Sequence, residues 1–281
     1  MTMTDIGVDS PIDDKVSCLQ QKLKEANSAV IAFSGGVDST VLSAVATEML
    51  GKKAICVLAS SQLVPERDLN DARHLADEIR LNLVEINWDP MVISEFTGNG
   101  KDRCYYCKRA MILRLRKLAD EMVITTICEG SNFDDLSEFR PGLKAVAEVG
   151  CRSLLAESCL TKSEIRSIAH NRGLKNWDRP PAPCLASRIP YGMTITGQIV
   201  KQIDRGEDLI KGFGIKQVRL RHHNDIARIE VGQDDITLLL QNSNVLVDGL
   251  KKLGYRYITV DIEGFRSGSL DELLQNFEQV R

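Results

Sequence analysis

The sequence predicts an α/β protein with a doubly wound parallel sheet, followed by a smaller C-terminal α+β domain. Up to residue 175, short apolar runs alternate with amphipathic segments, and strands that alternate with helices are typical of a parallel sheet. Three prolines within residues 180–183 interrupt this pattern, and the order of elements changes after them. We therefore expect an N-terminal domain over residues 1–178 and a C-terminal domain over residues 179–281.

The N-terminal elements are predicted from apolar runs and from helical spacing. Buried strands are expected at residues 29–33, 54–60, 82–86, 122–130 and 153–157. Helices are expected around them at residues 15–26, 38–50, 65–79, 108–121 and 161–173. The last helix has Thr161 at its N-cap and Glu164 three residues later, which is the pattern of a capping box.

The C-terminal region has a different pattern. A helix over residues 196–212 precedes two alternating segments, 216–223 and 226–231, which the turn at Asn224-Asp225 joins as a hairpin. Helices within residues 233–253 and a strand at residues 255–262 follow. This order predicts a short mixed sheet that is covered by helices.

The composition is that of an ordinary globular protein. The 281 residues carry a net charge of −3, whereas proteins that bind nucleic acids are normally basic. No apolar run approaches the roughly 18 residues that cross a bilayer, and the first residues lack the features of a signal peptide. We therefore expect a cytoplasmic protein with neither a membrane nor a nucleic-acid partner. Since disulfides are rare in that compartment, most cysteines are expected in the core, namely Cys18, Cys56, Cys128, Cys151 and Cys159.

The segment SGGVDST at residues 34–40 has the features of a phosphate site. It lies between a buried strand and a helix, where glycines permit close approach and backbone N–H groups attract anions. No lysine follows the glycines, so the segment is not a Walker loop. An aspartate beside phosphates indicates Mg²⁺; a simple serine-capped turn is the alternative. The binding residues expected here are Ser34, Gly35, Gly36, Asp38, Ser39 and Thr40.

This segment resembles the signature of the PP-loop ATP pyrophosphatases, which cleave ATP to AMP and pyrophosphate while adenylating an acceptor oxygen. The resemblance implies a fold of that type, with ATP and Mg²⁺ as cofactors. It also implies that Lys162 faces the phosphates, although a solvated lysine is the alternative. Because ligands lie at the carboxyl ends of parallel strands, Ser60 is expected beside the adenine and Gly130 is expected to face the same crevice.

Further motifs resemble the LarE family of sulfur transferases over residues 15–270. They are EFRPGLK (138–144), CLASRIPYG (184–192), RHHNDIARIE (221–230) and GFRSG (264–268). The resemblance implies adenylation of the carboxylates of pyridinium-3,5-biscarboxylic acid mononucleotide and replacement of oxygen by sulfur, in nickel-pincer nucleotide biosynthesis. It implies a small nucleotide substrate, a homo-oligomer such as a hexamer, and transient contact with other proteins of that pathway. Arg140 is expected at the nucleotide site.

Cys104, Cys107 and Cys184 stand apart from the predicted core cysteines. The first two form a C-x-x-C pair, which redox, zinc and iron–sulfur sites share. Three thiolates on a [4Fe–4S] cluster leave one iron open for an extra sulfide, and the resemblance implies that one LarE branch works in this way. In another branch the cysteine that matches Cys184 gives up its own sulfur and becomes dehydroalanine. The three cysteines favour the cluster; sacrificial use of Cys184 and a zinc or redox pair stay open.

The implied substrate carries a phosphate and carboxylates, which arginine forks bind well. Arg219, Arg221 and Arg266 match LarE positions for phosphate or substrate, and Arg188 is a further candidate. The alternative for Arg219, Arg221 and Arg266 is a solvated arginine at a strand edge. The residues expected to take part in catalysis are Asp38, Lys162, Cys184, Glu207 and Glu230, of which both glutamates are equally well interpreted as surface or ion-pair residues.

Other functions remain to be considered. A PP-loop tRNA thiolase needs a basic surface, which the net charge disfavours. An amidating synthetase needs a glutaminase domain, for which the two predicted domains leave no room. A nucleotide sensor that binds ATP without turnover, and an iron–sulfur electron carrier that does not depend on ATP, belong to different classes. Release of pyrophosphate distinguishes the enzyme from both.

Overall fold

The computed structural model describes residues 7–137 and 141–266, which form two compact units. The N-terminal unit comprises the described residues up to 90 and from 102 to 182. The C-terminal unit comprises residues 91–101 and the described residues from 183 onward. The division therefore falls a few residues after the expected boundary at 178, and it assigns an internal segment of the first half to the C-terminal unit.

The N-terminal unit is built on a four-stranded parallel sheet. Its strands are β1 (Ala29–Phe33), β2 (Ala54–Ser60), β3 (Leu83–Asn87) and β4 (Thr126–Cys128), in the order β3-β2-β1-β4. β1 pairs in parallel with β2 on one side and with β4 on the other. The predicted parallel sheet is confirmed, and its central strand is the one that leads into residues 34–40.

Helices cover both faces of this sheet. Those of the N-terminal unit are α1 (Ile12–Ala26), α2 (Val37–Leu50), α3 (Glu66–Glu78), α5 (Arg103–Glu121), α6 (Pro141–Val149), α7 (Leu154–Glu157) and α8 (Lys162–Asn171). Adjacent residues of β1 face opposite sides, since Ile31 packs with α1, α2 and α8 whereas Val30 packs with α5 and α6. The strand is therefore buried on both faces, which is why it appears in the sequence as a continuous apolar run.

The strand predicted at residues 153–157 is wrong. Residues 154–157 form the short helix α7, and within the described part of the chain a single bridge, between Cys128 and Arg152, continues the pairing beyond β4. The Ser153 hydroxyl donates to Glu129 Oε1 at 2.6 Å, and Ser153 is the N-cap of this helix. Leu154 and Leu155 are buried in the helix core instead, because a short apolar run suits a buried helix turn as well as a strand.

The C-terminal unit has a three-stranded mixed sheet. Its elements are α4 (Ser94–Thr97), α9 (Gly197–Lys211), β5 (Val218–His223), β6 (Ile226–Val231), α10 (Ile236–Gln241), α11 (Ser243–Lys252) and β7 (Tyr257–Val260). β5 and β6 form the predicted antiparallel hairpin, and β7 adds in parallel to β6. Among the described residues, no helix is long and apolar enough to cross a membrane.

Residues 91–101 join this unit through Asn99. The Asn99 side chain is fully buried and its φ is +57°. Its Nδ2 donates to the carbonyl oxygens of Pro190 and Met193, both at 2.8 Å, and its own carbonyl accepts from the Gly192 N–H at 3.1 Å. This segment therefore fixes the chain that follows Cys184.

Candidate active site

Residues 34–40 form a tight turn between β1 and α2. Gly35 has a φ of +72°, and a Cβ added to it would lie 2.8 Å from the Cβ of Ala72 on α3. The helix begins immediately afterwards, with Gly36 at its N-cap. The turn therefore requires glycine at residue 35 for both backbone conformation and space, as expected of a loop that presents backbone N–H groups at a helix N-terminus.

The hydroxyl groups of the loop hold its backbone in shape. Ser39 Oγ donates to the Gly36 carbonyl at 3.0 Å and lies 3.1 Å from Ser34 Oγ. Thr40 Oγ1 donates to the same carbonyl at 2.9 Å. Ser39 Oγ also accepts from the Ser34 N–H at 3.2 Å, and the Gly36 N–H makes a long contact of 3.4 Å with Ser34 Oγ. The first N–H groups of α2 lack intrahelical acceptors, as at any helix N-terminus, and are therefore available as donors for an anion.

Asp38 and Lys162 meet beside this loop. Lys162 Nζ donates to Asp38 Oδ2, which brings together two residues that are 124 positions apart in the sequence. The other oxygen, Asp38 Oδ1, is buried without a hydrogen-bond partner within the described residues. A buried carboxylate oxygen without a donor is costly and is a natural ligand for Mg²⁺. The residues present therefore fit a magnesium ion held by Asp38.

The start of α8 is fixed by buried polar contacts, and this positions Lys162. Thr161 and Glu164 form the predicted capping box. Lys15 on α1 is fully buried and its Nζ donates to Glu164 Oε1 at 2.7 Å. The Lys162 backbone N–H donates to Asp134 Oδ2 at 2.8 Å. The side chain of Lys162 thus extends from a helix N-terminus that is fixed by the capping box, by Lys15 and by Asp134.

The loop after β4 packs against the turn. A Cβ added to Gly130 would lie 3.0 Å from the backbone nitrogen of Ser39, so Gly130 makes a close contact with the first turn of α2. Ser60 ends β2 and is half-buried at the same edge of the sheet. Arg140 lies outside the described residues.

The neighbouring Glu129 ties this loop to the C-x-x-C helix. Glu129 Oε2 accepts from Lys108 Nζ and from Ser131 Oγ, each at 2.9 Å. Burial alone would raise the pKa of this carboxyl, but the Lys108 charge and hydrogen bonds from Ser153, Lys108 and Ser131 hold it below its ordinary value. The ionised Glu129 is a link that the sequence pattern did not reveal, because it joins residues that are distant in sequence.

Cys104 and Cys107 lie within the first five residues of α5, where Cys104 is exposed and Cys107 is half-buried. Residues three apart share one face of a helix, so the two thiols project to the same side. Within residues 7–137 and 141–266, no group of three or more His, Cys, Asp or Glu side chains is close enough to hold a metal ion.

Cys184 lies in the C-terminal unit and immediately precedes a short 3₁₀ turn, Leu185–Arg188. The buried side chain of Arg188 folds back onto this turn and binds its backbone. Arg188 Nη1 donates to the carbonyl oxygens of Pro183 at 2.7 Å and Cys184 at 3.2 Å. Its Nε and Nη2 donate to the two carboxylate oxygens of Glu207 at 2.8 and 3.0 Å. Both side chains are buried, so the geometry favours Arg188 as a residue that shapes the Cys184 turn.

Glu207 also binds the neighbouring strand. Its Oε1 accepts from the Leu220 N–H at 3.1 Å. Burial acts to raise the pKa of Glu207, but the Arg188 charge and the hydrogen bonds from Arg188 and Leu220 lower it below the ordinary value. Glu207 is therefore an ionised anchor on α9 rather than a surface residue.

Three arginines and Glu230 lie on one face of the small sheet. Arg221 donates to Glu230 Oε2 at 2.7 Å and to the Ser187 carbonyl at 2.8 Å. Glu230 Oε1 accepts from Arg228 at 2.9 Å. Burial and the positive charge of Arg188 lower the pKa of Arg219 to about 10. These arginines form a cationic region next to the Cys184 turn.

Phe265 and Arg266 lie at the end of the described chain. The Arg219 guanidinium lies over the Phe265 ring, with 5.2 Å between its Cζ and the ring centroid, while Arg266 is half-exposed and pairs with Glu263 at 2.8 Å. Arg266 is the most accessible of the four arginines predicted to bind substrate.

Replacing Glu207 with glutamine is expected to lower the free energy of unfolding by about 3–5 kcal/mol, because it leaves the buried Arg188 charge uncompensated. Chemical denaturation measures the change. Glu157→Gln is the matched control, since Glu157 pairs with Arg152 at 2.5 Å but both side chains are about one-third exposed. A change below about 1 kcal/mol is expected there. Equal losses in both variants would contradict a special role for the buried pair.

Comparisons with known proteins cover most of the chain. A family model described as NAD synthase matches residues 12–118. An uncharacterised protein of Synechocystis sp. is 38% identical over 94% of this chain and 99% of its own length. Pyridinium-3,5-bisthiocarboxylic acid mononucleotide synthase of Lactiplantibacillus plantarum is 35% identical over 92% of this chain and 95% of its own. An NH₃-dependent NAD⁺ synthetase of Hyperthermus butylicus is 28% identical over 53% of this chain and 55% of its own.

Proposed function

The chain belongs to the LarE family of PP-loop sulfur transferases, and on this premise we propose that it thiolates pyridinium-3,5-biscarboxylic acid mononucleotide. ATP activates a carboxylate of that substrate as an acyl adenylate, with release of pyrophosphate. Sulfur then replaces the adenylated oxygen, and AMP leaves. The product is the thiocarboxylic precursor of a nickel-pincer nucleotide.

The observation that carries this proposal is the pairing of Lys162 with Asp38 beside a glycine turn at a helix N-terminus. A positive ammonium, backbone N–H donors and a carboxylate with a buried unpartnered oxygen match the needs of a triphosphate with its cation. A simple serine-capped turn, which is the alternative interpretation, requires neither the Asp38 carboxylate nor the Lys162 ammonium group.

The adenylation step requires an in-line displacement at the α-phosphorus. A substrate carboxylate oxygen forms a bond to that phosphorus, and the bond from the α-phosphorus to the bridging oxygen of pyrophosphate breaks. The N–H groups of residues 35–37 and the ammonium of Lys162 bind the departing pyrophosphate and stabilise its charge. Mg²⁺, when bound by Asp38, supplies further charge neutralisation. Ser60 and Gly130 border the nucleotide.

The arginines of the C-terminal unit are assigned to the substrate. Arg219, Arg221 and Arg266 bind its phosphate or carboxylates, since a guanidinium pairs with both in bidentate fashion. Arg188, Glu207 and Glu230 support them as positioning residues, because their side chains already bond protein groups. Among the guanidinium groups assigned to the substrate, that of Arg266 is the most accessible, whereas that of Arg221 also holds Glu230 and the Ser187 carbonyl.

We propose that Cys104, Cys107 and Cys184 hold a [4Fe–4S] cluster. Thiolates are the usual ligands of such clusters, and the C-x-x-C pair presents two on one helix face. The cluster would supply a sulfide at the iron that no cysteine occupies. Sacrificial loss of the Cys184 sulfur is the other route. Cytoplasmic location, assembly as a homo-oligomer such as a hexamer, and transient contact with other proteins of the pathway belong to the same proposal.

The proposed activity is tested by incubating the purified chain with MgATP and pyridinium-3,5-biscarboxylic acid mononucleotide under anaerobic conditions. Formation of AMP and pyrophosphate in equal amounts, together with a thiolated product, is expected. Hydrolysis to ADP, or binding of ATP with no pyrophosphate, would contradict it. A preparation without substrate serves as the control.

Replacing Cys104 or Cys107 with alanine is expected to remove the visible absorption of protein that is purified anaerobically. The physical reason is that a cluster left with two thiolates loses a ligand that holds one of its irons. Absorption spectra with iron and acid-labile sulfide analysis measure the loss. Cys159→Ala is the control, because Cys159 is half-buried near α7 and belongs to neither segment. Wild-type protein with no iron and no absorption would instead favour the sacrificial route.

A further inference from the structure

Asn176 lies behind the glycine turn and is 8% exposed. Its Nδ2 donates to the Gly35 carbonyl oxygen at 3.0 Å and to Thr40 Oγ1 at 2.9 Å. Both hydrogens of the amide are thus used on residues about 140 positions earlier in the chain. Its Oδ1 is buried without a hydrogen-bond partner among the described residues.

These bonds determine the orientation of one peptide group. In a trans peptide the C=O and N–H groups point in opposite directions. Because Asn176 holds the Gly35 carbonyl, the N–H of Gly36 points to the other side of the same peptide plane. That N–H has only a long contact, 3.4 Å, to Ser34 Oγ, so it remains a donor for a ligand.

Without this bond the peptide between Gly35 and Gly36 has freedom to rotate. Glycine occupies positive and negative φ about equally well, and two glycines flank this peptide. The following carbonyl, that of Gly36, is held by the hydroxyls of Ser39 and Thr40. Among these described contacts, Asn176 supplies the corresponding restraint on the Gly35 carbonyl, and it also orients Thr40 Oγ1.

We propose that Asn176 is a positioning residue that locks the Gly35–Gly36 peptide with its N–H directed at the pyrophosphate part of the nucleotide. This inference rests on the proposed function, since it assigns a role in binding ATP. It predicts that replacing Asn176 weakens the binding of the β- and γ-phosphates alone. The adenosine part of the ligand is bound by other residues and is unaffected.

The test compares Asn176→Asp and Asn176→Ala with wild type by calorimetric titration with Mg-pyrophosphate and, separately, with AMP. Both variants are expected to weaken pyrophosphate binding about ten-fold, the effect of one well-placed hydrogen bond, and to leave AMP binding unchanged. The aspartate variant keeps the volume of the side chain, which guards against a packing defect, but it adds a charge that repels pyrophosphate. The alanine variant, which adds no charge, therefore decides whether the lost hydrogen bonds account for the effect. Lys175→Ala is the control, because Lys175 is exposed and pairs with Glu78 at 2.7 Å.

The outcomes separate this inference from the proposed function. Unchanged pyrophosphate affinity in both variants overturns the role of Asn176, as does an equal loss for pyrophosphate and AMP, which would signal a general structural defect. Wild-type protein that binds neither ligand overturns the proposed function. With MgATP as substrate, the Asn176 variants are expected to raise KM by a larger factor than they lower kcat.

Discussion

Asp38→Asn is expected to lower the rate of ATP-dependent pyrophosphate release by about 10²–10³, the usual loss when a charge that stabilises the transition state is removed. The asparagine has nearly the same shape, so the turn and α2 should remain folded. What changes is the charge: an amide replaces the carboxylate that pairs with Lys162, and the one oxygen that remains is uncharged and a weaker ligand for Mg²⁺. Release of pyrophosphate, followed with a coupled assay at several Mg²⁺ concentrations, measures the effect.

The control for this variant is Asp71→Asn. Asp71 is also an aspartate of the N-terminal unit in an ion pair, with Arg179 at 3.2 Å, but its side chain is 59% exposed. It should keep wild-type turnover. Wild-type kinetics in Asp38→Asn, with the same dependence on Mg²⁺, would exclude Asp38 as the residue that holds the cation.

Local patterns explain why much of the N-terminal fold was predictable from the sequence. β1 and β2 are continuous apolar runs, and the capping box at Thr161 and Glu164 is formed by residues three positions apart. In each case the sequence pattern and the element that it predicts lie within the same short segment. The phosphate turn belongs to the same class, since two glycines and an aspartate between a strand and a helix carry the information locally.

The contacts that shape the site are non-local, and one sequence does not reveal them. The sequence predicts Arg188 as a substrate ligand, and it contains no pattern that pairs Arg188 with Glu207, which lies 19 residues away on α9. Asn99 anchors the segment after Cys184 from about 90 residues earlier. Neither residue has a sequence pattern that marks its role, because an isolated arginine or asparagine is common on surfaces.

The strand predicted at residues 153–157 is wrong for a different reason. The pattern of apolar residues was real, but five residues do not distinguish a buried strand from a buried helical turn. The hydrogen bond from Ser153 to Glu129 holds the residue that precedes this helical turn. That bond depends on a glutamate in another segment, which local periodicity does not include.

Cys184→Ser is expected to abolish the thiolated product while pyrophosphate release stays within about two-fold of wild type. Adenylation uses no thiol, and the residues assigned to ATP lie in the N-terminal unit, whereas Cys184 lies in the C-terminal unit. Serine keeps the backbone carbonyl that accepts from Arg188, so the turn should retain its shape. Chromatography of the product and a pyrophosphate assay on the same sample measure the two steps separately.

The wild-type protein recovered after turnover distinguishes the two sulfur routes. If Cys184 is consumed, its Cβ–Sγ bond breaks, the Cα proton is lost and the intact mass falls by that of H₂S. If the sulfur comes from a cluster, the mass of the chain is unchanged and one molecule of protein makes more than one product when sulfide is supplied. Cys159→Ser should behave as wild type in every assay. Thiolation by Cys184→Ser at the wild-type rate would contradict both routes, because each requires the thiol of Cys184.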